Sequence, residues 1–189
     1  LAIEQALAEA RRDKLGPAEL GKALALKAEA LSMQHKAAEA IPLFDEALKA
    51  DPNNAFSKAR LASAYVALHN HSKALPFLKA ATEAVPENLE YAEAYLSSLI
   101  VEGKMDDALK VVASSSARFP ANARLTYLKA RVDDALDRTK EAEASYLRAI
   151  AADATLVEPH LHLARLYVRF RRLGLDPGTT KRGGHDDGL

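Results

Sequence analysis

The chain has 189 residues, with 26 Lys+Arg balanced by 26 Asp+Glu, no Cys, no Trp, and Ala at about one residue in five. Balanced charge removes the global positive field on which non-specific nucleic-acid binding rests, and the missing cysteines exclude disulfides and thiolate chemistry without fixing a compartment. No apolar run approaches the eighteen or so residues needed to cross a bilayer. Five Phe and six Tyr beside so much Ala suit closely spaced helices better than a bulky core.

Taken in chain order, residues 2–14 read as a helix with Leu7 and the alanines on one side, halted at Gly16-Pro17. Residues 1–20 are expected to form an N-terminal cap or the second helix of an earlier repeat. The first residue is Leu and no charged-then-apolar targeting segment opens the chain. The expectation is a processed chain or a piece of something longer.

From residue 21 the prolines set a period, because Pro52, Pro86 and Pro120 are spaced by 34 and 34. Frames of that length then run 21–54, 55–88, 89–122 and 123–156, with a partial fifth at 157–173. Their columns agree. The twentieth position is Ala40, Ala74, Ala108 and Ala142, the twenty-seventh Ala47, Ala81, Ser115 and Ala149, and the twenty-fourth Phe44, Leu78, Val112 and Tyr146. The eighth is Ala28, Ala62, Leu96, Ala130 and Ala164, and the eleventh Leu31, Tyr65, Leu99, Asp133 and Tyr167. Three frames close on Asn54, Asn88 and Asn122.

Each frame holds two helices, as at 56–68 and 72–84 in the second, joined by His69-Asn70-His71, which tolerates a left-handed turn. The third frame puts Gly103 at that place. Small residues let the two backbones approach, and consecutive hairpins must stack to bury their apolar faces. Pro42 and Pro76 fall a few residues inside second helices. Either they kink those helices, or the helices start late and place them in the first turn.

The fourth frame departs from the pattern at Lys129, Asp133 and Ala154 and is expected to be the least regular. Residues 158–172 supply one further first helix, as a half repeat or cap. Residues 174–189, with Asp176-Pro177-Gly178 and Gly183-Gly184, have little to bury and are expected to be disordered.

The motifs Leu61-Ala62-x-x-Tyr65, Ala74-x-x-x-Leu78-x-x-Ala81 with Pro86, and Ala40-x-x-x-Phe44-x-x-Ala47 with Asp51-Pro52-Asn53-Asn54 resemble tetratricopeptide repeats. The resemblance covers roughly residues 21–172. It implies an all-α, right-handed α-solenoid of stacked antiparallel helix hairpins, whose first helices line a concave groove. Transferred position by position, it puts Glu29, Met33, Phe56, Ser63, Val66, Glu90, Glu93, Ser97, Ile100, Val101, Arg124, Tyr127, Arg131, Leu161, Arg165 and Arg169 in that groove. The Lys and Asn pair with which some family members grip a terminal carboxylate is replaced by Ala25 and Glu29, then Ala59 and Ser63. Phe56, Val66, Ile100, Val101 and Tyr127 form an apolar strip that either accepts a peptide or packs between repeats. Glu29, Glu90 and Glu93 lie early in the groove, and the arginines lie later. Such polarity orients a ligand more than it tightens binding.

Catalytic and metal signals are weak. His160 and His162 are two apart on a helix and point to different sides. Ser114-Ser115-Ser116 lacks a base placed to activate it and fits a packing seam. The paired aspartates, Asp133-Asp134 among them, diverge on helices. No phosphate-cradling glycine loop stands between a strand and a helix.

The expected function is a non-catalytic protein–protein interaction scaffold, not an enzyme, with no cofactor and no metal. Its partner is a protein or peptide, with no nucleic acid and no membrane insertion. Self-association is conceivable through Leu161, Leu166 and Phe170 of the C-terminal helix. The alternative is a segment of a larger enzyme or of a secretion or assembly apparatus, as when such arrays precede a glycosyltransferase or an outer-membrane export barrel. Cytoplasm and periplasm are both compatible.

Overall fold

In the computed structural model the described residues are 16–172, so the expected helix at 2–14 and the tail at 174–189 lie outside them. Among the described residues all regular structure is α-helical: α1 Pro17–Met33, α2 Ala37–Ala50, α3 Ala55–Ala67, α4 His71–Ala84, α5 Leu89–Val101, α6 Met105–Arg118, α7 Ala123–Ala135, α8 Thr139–Ala152 and α9 Val157–Arg172. First helices start at residues 55, 89, 123 and 157 and second helices at 37, 71, 105 and 139. Every step repeats the proline period.

Local chemistry explains both ends of the first helices. The side-chain oxygens of Asn54, Asn88 and Asn122 accept hydrogen bonds from the backbone N–H of Ser57, Tyr91 and Leu125, at 2.9, 3.2 and 2.8 Å. The asparagine column is therefore a column of N-caps, each satisfying a donor that the helix start leaves over. At the other end, His35, His69, Gly103 and Asp137 all sit at positive φ (61°, 55°, 69° and 54°). The N–H after each of them donates to the carbonyl five residues back, Leu31, Tyr65, Leu99 and Asp133. This is a left-handed helix stop that reverses the chain into the second helix.

The chain divides into two compact units, Leu1–Asp107 and Ala108–Leu189. In the first, α1 packs with α2 and α3 with α4; α3 also meets α1 and α2, and α5 meets α3 and α4. In the second, α7 packs with α8, and α9 lies on both. The small columns are the seams: Ala28, Ala40, Ala62, Ala74 and Ala81 are buried in the first unit, and Ala108, Ala130, Ala142 and Ala149 in the second. The large residues Phe44, Leu78 and Tyr146 fill the space beside them and are fully buried, the packing that makes such pairs stable. Gly21 also lies in a seam, where a Cβ would stand 3.1 Å from the Ala47 carbonyl oxygen.

Two expectations change. Helices α2 and α4 begin at Ala37 and His71, so Pro42 and Pro76 lie inside them, and the late-start reading falls. Each deletes one N–H donor; the carbonyls four residues back belong to Ala38 and Ser72, which are exposed to water. The fourth hairpin, expected to be irregular, has helices of 13 and 14 residues like those of the second frame. Its two misplaced polar residues neutralise each other: the Lys129 ammonium donates to the buried Asp133 carboxylate one turn on, with Arg138 approaching from the other side at 3.9 Å. At Ala154, where a proline was expected, Asp153 accepts from the Thr155 N–H at 2.9 Å and shapes the turn without one.

Candidate functional site

The first helices bury some of their expected groove positions and expose others. Met33, Ser63, Glu90, Val101, Arg124, Leu161, Arg165 and Arg169 are exposed, and Glu29, Phe56, Val66, Glu93, Ser97 and Arg131 half-buried. Ile100 and Tyr127 are buried, and for these two the packing alternative holds. Tyr127 shares its position in the frame with Ala25 and Ala59, which are buried too. Its ring stands 6.2 Å from Tyr146 and 5.7 Å from His162, in an aromatic cluster joining α7, α8 and α9. The hydrophobic side of α9 is likewise covered: Leu166 and Phe170 are buried, and of the three residues assigned to self-association only Leu161 stays open.

In the first unit the organising residue is one that the sequence reading left out. Arg60 of α3 reaches Glu29 of α1 and Glu90 of α5, both at 3.2 Å, and its guanidinium lies 5.1 Å over the Phe56 ring. Three expected groove residues thus converge on one cation, and the early acidic stretch is partly neutralised. The signal was present in the frame: the sixth position reads Leu26, Arg60, Ala94, Leu128 and His162, with arginine only in the second. Beside Arg60 opens a cavity of about 390 Å³ bounded by Glu29, Met33, Ser63, Ala67 and Leu68. Met33, 78% exposed, is its apolar rim.

In the second unit two of the four expected arginines are committed. Arg124 donates to Glu158 at 3.0 Å and Arg169 to Asp134 at 2.6 Å. Arg131 and Arg165 form no ion pair among the described residues. Both act on His162, which is half-buried against Tyr127 and Tyr146. Burial, then the positive charges of Arg131 and Arg165, hold its imidazole below the usual histidine range, with Asp134 and Glu158 pulling weakly the other way. Asp134 also accepts from the Tyr146 hydroxyl at 3.5 Å. The Tyr146 phenol is pushed up, by burial first and by Asp134 next. Tyr167 of α9 donates to Glu143 of α8 at 2.6 Å, a bond that raises its phenol to about 12.

His160 and His162 do part company: His160 is exposed and bonded to the Leu156 carbonyl at 2.9 Å, while His162 enters the aromatic cluster. Ser115 is buried at the seam, and Ser114 bonds back to the Val111 carbonyl. Asp133 and Asp134 diverge to different cations. Among the described residues no trio of His, Asp and Glu is placed to hold a metal ion, and no helix is long and apolar enough to cross a membrane.

Hairpins of fixed length, capped by asparagine and reversed at a left-handed residue once in every repeat, define an all-α helical repeat fold. Residues 31–97 match the family model described as tetratricopeptide repeat. Over that stretch the chain is built of tetratricopeptide repeats. Solved structures share the fold. MamA from Desulfovibrio magneticus RS-1, residue 41 to the end, is 18% identical, with a TM-score of 0.72, 80% of this chain and 85% of that one being covered. A thermophilic TPR protein of Thermus thermophilus is 24% identical, with a TM-score of 0.63 and coverage of 82% and 84%. PilF of Pseudomonas aeruginosa is 16% identical, with a TM-score of 0.66 and coverage of 80% and 69%. At these identities the likeness is one of fold. No curated protein matches the sequence.

Proposed function

We propose that the chain is a non-catalytic interaction scaffold that holds a peptide or helical segment of a partner protein against its first helices. The observation that carries this reading is the division of labour along those helices. Small residues such as Ala28, Ala59 and Ala62 are consumed by packing, whereas Met33, Ser63, Val101 and Arg165 are left at the surface, Ser63 with its hydroxyl donating back to the Ala59 carbonyl at 3.0 Å. In the first unit Met33 and Ser63 border a cavity whose rim mixes apolar Met33 and Leu68 with the Glu29–Arg60 pair. That mixture suits an amphipathic segment.

Photo-crosslinking tests the assignment. A photoreactive side chain placed at Met33, Ser63, Val101 or Arg165 is expected to trap partner protein. The same group at Lys79 or Glu83, exposed on second helix α4 and paired with each other at 3.9 Å, is not. Equal trapping from both sets of positions removes the reading.

A further inference from the structure

We propose that the surface of α7 and α9 in the second unit recognises an acidic, amphipathic peptide segment, with carboxylates seated between Arg131 and Arg165 and apolar residues on Leu161 and Val168. This rests on the scaffold reading above and gives the partner a chemistry.

Charge on this surface is imbalanced. Of the charged groups on this surface, Arg124 is satisfied by Glu158 and Arg169 by Asp134, so both nearby carboxylates are engaged. Arg131 and Arg165 occupy the same place in successive first helices, one repeat apart, and neither has an anionic partner among the described residues. Both are near enough to His162 to disfavour its protonation. Two guanidinium groups beside a half-buried imidazole make a local positive field that the chain does not cancel. A guanidinium binds carboxylate through two parallel N–H donors, so an incoming acidic side chain supplies what is missing.

The neighbours favour a peptide over a nucleic acid. Leu161, Arg165 and Val168 are spaced i, i+4 and i+7, one stripe of a helix, and Leu161 and Val168 are each 53% exposed. The cation is thus framed by open apolar side chains, which complement alternating acidic and apolar residues. His162 turns occupancy into a signal: a carboxylate between the arginines offsets their charge and lifts the imidazole back toward its ordinary range. The groups facing it are Tyr127, Arg131 and Asp134 from α7, Tyr146 from α8, and Glu158 and Arg165 from α9.

The test uses the full chain and a fluorescein-labelled glutamate decamer as probe, with a glutamine decamer and an oligo-dT as controls. The glutamate probe is expected to bind, and Arg131→Gln/Arg165→Gln to weaken it by about tenfold or more. Arg124→Gln/Arg169→Gln, which removes equal charge from the paired arginines, is expected to change binding by less than threefold. The probe is also expected to raise the His162 titration midpoint, followed by NMR of the imidazole C2 proton, in the wild type and not in Arg131→Gln/Arg165→Gln. All four arginines lie at or near the surface, and matched thermal midpoints confirm that both variants are folded. Equal losses in the two double variants, an unmoved His162 midpoint, or tighter binding of oligo-dT than of the glutamate decamer each overturns the proposal. Crosslinks from Met33 and Ser63 without glutamate binding leave the scaffold reading standing and end this one. Crosslinking no stronger from the first-helix positions than from Lys79 and Glu83 ends both.

Discussion

His69 and Gly103 occupy the same left-handed backbone position in successive repeats, with φ of 55° in one and 69° in the other. The Asn70 N–H beyond the first reaches the Tyr65 carbonyl, and the Lys104 N–H beyond the second reaches the Leu99 carbonyl, each at 2.9 Å. The helix-stopping bond is therefore the same in both turns, and at that position the two residues differ in what a Cβ costs at positive φ.

His69→Gly is expected to stabilise the protein by about 1 kcal/mol, because glycine adopts this conformation without the left-handed penalty. Gly103→Ala, with open space around its Cβ position, is expected to destabilise by a similar amount, about 1 kcal/mol, through backbone strain alone. Urea denaturation of the two variants measures both. Equal effects of the same sign contradict the account.

The Lys129–Asp133 pair predicts a non-additive double mutant. Asp133 is buried, whereas Lys129 is about one third exposed. Lys129→Met leaves a carboxylate in the seam with Arg138 at 3.9 Å as its remaining cation. A loss of about 2 kcal/mol is expected, less than for a wholly buried pair because water reaches the lysine. Lys129→Met/Asp133→Leu restores the apolar pattern of the second and third frames, Leu61 with Tyr65 and Tyr95 with Leu99, and is expected to be neutral or stabilising. A double-mutant cycle by chemical denaturation decides whether the two changes couple.

His162 predicts a pH dependence with a definite sign. Its folded-state pKa is depressed, so the unfolded chain takes up the proton first as pH falls. The stability owed to the neutral ring is complete above the unfolded value of about 6.5 and declines as pH drops through it toward the lower folded value. The thermal midpoint of the wild type is expected to fall between pH 7 and 5 more steeply than that of His162→Phe, which keeps the ring contacts with Tyr127 and Tyr146 and cannot titrate. Parallel curves for the two proteins reject this role for the imidazole.

Much of this architecture was written in the order of residues. The alanine columns at Ala40, Ala74, Ala108 and Ala142, the asparagine column and the Gly103 turn all report local requirements. A small side chain permits a close helix crossing, an Asn oxygen satisfies a free N–H three residues on, and a left-handed stop ends a helix. Each acts within one repeat, so framing the chain by its proline period exposes it. At Pro42 and Pro76 the structure selects the interior position from the two that residue order left open, and at Lys129 and Asp133 it replaces the expected irregularity with an ion pair. The prolines lose their bonds to Ala38 and Ser72, residues at the exposed surface, and two misplaced charges one turn apart satisfy each other.

The candidate site divides along the same line. Which first-helix positions to consider for the groove was implied by the resemblance to tetratricopeptide repeats, carried over position by position. Which of those side chains are free to bind was not. Arg60 gathers Glu29, Phe56 and Glu90 from three successive frames, Tyr127 disappears between Tyr146 and His162, and Arg131 and Arg165 stay unpaired while Arg124 and Arg169 find Glu158 and Asp134. Those outcomes depend on how the surface of one helix meets that of the next, where partners a whole repeat away in sequence come within a hydrogen bond. Residue order set the repeat and its turns; packing between repeats chose which charges and rings remain for a partner.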